Sequence, residues 1–131
     1  MNEEDEYRAR QKGRAYDLEE RLVEFAVSII GVAERLPKSP AGNHIAGQLI
    51  RSGTSPAANY GEAQSVESRK DFVHKMKLAL KELRESRVWL RVILRKPLAK
   101  DTDEVKRVLS ECEELIRIFA KSIATAESNM K

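Results

Sequence analysis

The chain has 131 residues, 41% of them apolar and only 5% aromatic, with a net charge of +3 from 24 basic and 21 acidic side chains. That is one domain's worth of sequence, long enough to bury a core without disulfides or a structural metal, and its composition favours an all-α protein. The single cysteine excludes an internal disulfide framework, no apolar run approaches the roughly 20 residues of a membrane span, and the acidic start is unlike a signal peptide. The expected location is therefore cytoplasmic, with no membrane partner.

Residues 1–16 are charged, lack periodicity and include Gly13; they read as a flexible arm. From Asp17 the pattern changes. Leu18, Leu22, Phe25, Ile29, Val32 and Leu36 step by four and three, the spacing of a helix face in a bundle, and predict a helix over about 17–35. Asp17 is placed to cap it. Val23, Val27 and Ile30 widen the apolar surface beyond one stripe, as suits a helix covered on two sides at a subunit contact.

Two prolines and a glycine in Leu36–Gly42 predict a turn. A second helix is expected over about 43–63, although Gly53-Thr54-Ser55-Pro56 would end it on propensity alone. The small residues around Pro56 let another backbone come close, and bundle context carries a kinked helix through a proline. A third helix is expected over about 68–96, buried through Phe72, Met76, Ala79, Leu83, Leu90 and Leu94 and stopped by Pro97. The last runs over about 101–127, with Val105, Val108, Cys112, Leu115, Phe119 and Ile123 on its stripe. Four helices with short connections predict an antiparallel up-down four-helix bundle over residues 17–128, its second helix kinked at Pro56.

Charge is distributed unevenly. Residues 17–37 carry two basic and five acidic groups, a balance of −3, whereas residues 66–97 carry ten basic and four acidic groups, a balance of +6. On the third helix Lys70, Lys77, Lys81, Arg84, Arg91 and Arg95 fall within an arc of roughly 80° at 100° per residue. Such a stripe tracks the phosphates of RNA or DNA and makes binding salt-dependent; it equally reads as a solvated flank. Aromatic residues interleaved for base stacking are absent from it.

Asn59 and Glu62 share a face of the second helix, and Glu82 and Glu85 share one on the third. A two-metal bundle site also needs a Glu-x-x-His pair from each of two helices, and neither His44 nor His74 follows a Glu by three residues. A polar seam fits better, with Arg51, Arg84 or Arg87 as partners. Cys112 on an apolar stripe reads as a small buried hydrophobe, and the glycines form no phosphate-cradling loop. No catalytic residue, metal or cofactor is expected.

The stretch Gln48-Leu49-Ile50-Arg51-Ser52, then Ser55-Pro56-Ala57-Ala58-Asn59-Tyr60-Gly61-Glu62-Ala63, is distinctive, as are Ser68-Arg69-Lys70-Asp71-Phe72 and Leu80–Ser86. With Arg51, Ser55, Asn59 and Glu62 at their spacing, the chain resembles the four-helix bundle proteins encoded within intervening sequences of bacterial 23S ribosomal RNA genes, from about Tyr16 to Ala126. More distantly it is similar to the accessory protein of diversity-generating retroelements, a bundle that binds nucleic acid through a basic surface. The resemblance implies a homo-oligomer, in the form of a ring-like pentamer, without enzymatic activity. It also implies that Ser55, Asn59 and Glu62 face the interior or a subunit seam near Arg51.

The expected function is a non-catalytic oligomeric bundle that contacts RNA or DNA through the third helix. The alternative is a protein-interaction scaffold for another protein, with no direct nucleic-acid binding.

Overall fold

The computed structural model describes residues 2–130, which form helices α1 (Glu3–Glu34), α2 (Pro40–Ala63), α3 (Arg69–Arg95) and α4 (Thr102–Ser128). Among the described residues there is no strand. Each helix opens on a side-chain cap that satisfies a backbone N–H otherwise left without a partner. Asn2 accepts from Asp5, Ser39 from Gly42, Ser68 from Asp71 and Asp101 from Glu104, all at 2.8–3.0 Å.

The expectation of an arm over residues 1–16 is corrected, because α1 begins at Glu3. Four acids in its first turn complement the positive end of the helix, and Arg8 pairs with Glu4 at 2.5 Å. This part has no apolar stripe to bury: Asn2–Glu6, Arg8–Arg10 and Lys12–Arg14 are exposed. Asp17 is therefore an exposed residue in mid-helix, and the cap is Asn2. The second correction is at Pro40, which opens α2 as its first residue, where a proline's missing N–H costs nothing. Gly42 is required two residues later, since a β-carbon there would stand 1.9 Å from the Pro37 carbonyl oxygen.

Helix α2 runs through Pro56 without a break. Hydroxyls just before the proline bind carbonyls of the preceding turn: Thr54 donates to Ile50 at 2.7 Å and Ser55 to Arg51 at 2.6 Å. Side-chain donors thus supplement the ladder where proline withdraws one.

Connections of five or six residues make successive helices antiparallel neighbours, and α4 closes against α1. The diagonal pairs α1–α3 and α2–α4 make no close backbone approach. Leu22, Phe25, Ile29, Leu49, Met76, Leu83, Leu90, Leu115 and Phe119 fill the centre, and Tyr60 meets Phe119 edge-on at 5.8 Å. At Gly53 a β-carbon would stand 2.5 Å from Ile29 Cγ2, so this glycine sets how closely α2 lies on α1. The α1–α4 side is the loosest and is bridged by ions. Arg21 reaches Glu111 at 2.6 Å and Glu114 at 3.3 Å, and Arg35 pairs with Glu104. No described helix is long and apolar enough to cross a membrane.

Candidate nucleic-acid interface and polar seam

Helix α3 turns its apolar stripe to the core and leaves Lys70, Lys77, Lys81, Arg84, Arg91 and Arg95 exposed. From Lys70 to Arg95 the rise of a helix gives a row about 38 Å long. Lys77 approaches Glu127 of α4 at 3.4 Å. Among the described residues the other five form no ion pair. A rigid helix carrying unneutralised cations along most of its length presents an extended positive field.

The residues expected in a polar seam lie between α2 and α3, but in two separate groups. In the first, Arg51 donates to Glu82 at 2.9 Å, to Gln48 at 3.3 Å and to Glu85. Glu85 also accepts from the Trp89 indole at 3.2 Å, and His44 meets the Trp89 ring edge-on at 6.2 Å. Neither Arg84 nor Arg87 joins this network. In the second group, about three turns along α2, Glu62 takes Lys75 of α3 at 2.5 Å. Ser55 is spent on the backbone of its own helix, and Asn59 is half-buried without a side-chain hydrogen bond among the described residues. Glu62 is exposed and Ser55 and Asn59 are half-buried, so this row lies along the α2–α3 edge, with Arg51 one turn before Ser55.

Two features escaped sequence reasoning. Ser52 and Ser86 are fully buried; Ser86 donates to Ser52 at 2.8 Å, and Ser52 donates to the Leu49 carbonyl at 3.4 Å. A serine seven residues before Ile93 and three after Leu83, on the core face of α3, was the available signal. The second is that Val88 and Val92 stand exposed inside the basic face. Their position five and nine residues after Leu83 puts them off the core stripe and among the arginines.

Cys112 is fully buried, donates to the Leu83 carbonyl at 3.2 Å, and its thiol is pushed up to about 12 by burial. It stays protonated at neutral pH and is no nucleophile there. Among the described residues no group of three or more His, Cys, Asp or Glu side chains gathers to hold a metal.

A cation-faced four-helix bundle with an ionic α2–α3 edge is the class of protein these features define. The family model described as 23S rRNA-intervening sequence protein matches residues 15–121. The chain belongs to that family. It is also similar to a solved structure from Bacteroides thetaiotaomicron VPI-5482, a protein of unknown function from the S23 ribosomal protein family. The two are 29% identical with a TM-score of 0.74, over 81% of this chain and 97% of the other. No curated protein sequence matches the chain.

Proposed function

We infer that this is a non-catalytic, self-associating bundle protein that contacts RNA or DNA through the basic face of α3. The observation that carries this reading is a row of six exposed cations on one rigid helix, of which only Lys77 approaches a carboxylate among the described residues. Each cation that meets a phosphate releases counterions, so affinity falls with salt in proportion to the number of contacts. Names that speak of ribosomal RNA and ribosomal protein, on the family and on the solved relative, support a nucleic-acid partner. The burial and protonation of Cys112 support a role without catalysis. Self-association multiplies a weak stripe into a multivalent surface, and the ring of five that the family resemblance implies is read directly from molar mass in solution.

The test is binding to labelled structured RNA and to duplex DNA across a salt series. The parent chain should bind at least one of them with a steep salt dependence. Replacing Lys77, Lys81 and Arg84 by Glu should abolish binding while the helical signal stays unchanged; unchanged affinity would remove the stripe. A second reading, a scaffold for another protein, is favoured by the exposure of Val23, Val27 and Ile30 on α1. Failure of the parent chain to bind either nucleic acid at low salt would select it.

A further inference from the structure

Two exposed rows on opposite sides of the bundle have complementary chemistry. On α1, Glu20, Val23, Val27, Ile30 and Glu34 step by three and four and fall within an arc of about 80°. The three apolar members are exposed, Val27 at 58%, and acids stand at both ends. On α3, Arg84, Val88, Val92 and Arg95 form a second row with Arg91 at its flank. Val88 is 48% exposed and Val92 36%, and with Arg91, Arg95 and Lys96 they line an open depression of about 450 Å³. Both rows have the same layout, an apolar centre bracketed by charge, and nearly the same length, about 21 Å and about 17 Å. Their signs are opposite. Among the described residues none of Glu20, Glu34, Arg84, Arg91 and Arg95 has an ion-pair partner.

We propose that the α1 row of one copy docks on the α3 row of a second copy, Val23, Val27 and Ile30 covering Val88 and Val92 while the end acids meet the end arginines. The proposal rests on the self-associating part of the function above and names its interface. It follows from charge complementarity and from geometry. Helices α1 and α3 are diagonal in the bundle and make no close backbone approach, so one chain cannot close its two rows on each other. A contact between two different surfaces is heterologous: each copy gives one row and receives one, and the assembly grows into a ring or an open chain. The apolar centres supply the driving force and the charges set register and partner. The basic stripe is thereby divided. Arg84 and Arg95, with Arg91 at their flank, serve the subunit contact, and Lys70, Lys77 and Lys81 stay open to nucleic acid.

A charge-swap pair tests this by light scattering and sedimentation of the full chain. One variant carries Glu20→Arg and Glu34→Arg; the other carries Arg84→Glu and Arg95→Glu. All four positions are exposed, and the helical signal of each variant checks folding. In either variant the two rows repel, and the mass should fall to that of one chain, 14.9 kDa. Mixed in equal amounts, each variant's altered row finds the other's altered row and its unaltered row the other's unaltered row. The mixture should therefore assemble again, with the two variants alternating in open chains or even-membered rings, since an odd-membered ring cannot alternate. A parent chain that is monomeric at high micromolar concentration would overturn self-association itself. An oligomeric parent with either variant still assembled, or with two monomeric variants that fail to reassemble on mixing, would overturn the α1–α3 pairing and leave self-association standing.

Discussion

Burial holds two weak acids neutral in the core. Desolvation raises the Tyr60 phenol from 10.0 to about 12, with the nearby Glu19 charge adding to it, and raises the Cys112 thiol from 9.0 to about 12. Their effect on stability has a definite sign. Between their unfolded values and about 12, the unfolded chain has released these protons while the folded chain keeps them. The unfolded state then binds fewer protons, so stability falls as pH rises. The contribution is fully present below pH 9 and is lost through the window up to about 12, at roughly 1.4 kcal/mol per pH unit for each group. Urea denaturation at intervals from pH 8 to about 11.5 should show this decline. In a Cys112→Ala chain it should begin about one unit higher, with the phenol alone. An unchanged onset in that variant would mean that the thiol titrates no differently in the core than in the open chain.

At the level of helices, the close approach of α2 to α1 depends on a missing side chain. A β-carbon at position 53 overlaps three atoms of Ile29, including Cβ at 2.9 Å, so the side chain cannot simply swing away. Gly53→Ala should therefore destabilise by about 1–3 kcal/mol, although alanine is the better helix former. Ile29→Ala removes a fully buried side chain and alone should cost about 2–5 kcal/mol. Added to Gly53→Ala it should cost less than it does alone, and the non-additivity of the pair in thermal or chemical denaturation measures the contact. Additive effects would locate the strain elsewhere. The same region shows what could be read beforehand. The apolar steps from Leu18 to Leu36 and from Phe72 to Leu94 reveal their helices because burial writes a period into the sequence. The helix over residues 3–17 escapes that reading, since it rests on a cap, first-turn acids and an i,i+4 pair, and Asn2–Glu6, Arg8–Arg10 and Lys12–Arg14 are exposed. Pro40 was misread because a proline that blocks the interior of a helix also suits its first position. The α3 bases were legible as an arc. Which of them meets a carboxylate was not, because Glu127 comes to Lys77 from 50 residues away. The exposure of Val88 and Val92 was hidden for a similar reason: periodicity names the core stripe but not where the neighbouring helices stop covering it.

For the whole molecule, the question is how one basic helix serves two kinds of contact. An exposed cation on a phosphate adds about 0.7–0.9 to the slope of log affinity against log salt, so losing one such contact lowers the slope by about one. A cation committed to a neighbouring subunit has no such effect on nucleic acid. Lys81→Gln should therefore weaken binding to every RNA or DNA sequence alike and reduce the slope by about one, with the assembled mass unchanged. Arg95→Gln should do the reverse, loosening the assembly and leaving the slope per chain close to that of the parent, provided both are compared at concentrations where the chains remain assembled. Both substitutions remove one exposed charge from the same face of α3, so a simple loss of net positive charge predicts equal effects. Equal slopes for the two variants would mean that Arg95 meets phosphate as Lys81 does and that the stripe acts as one undivided surface.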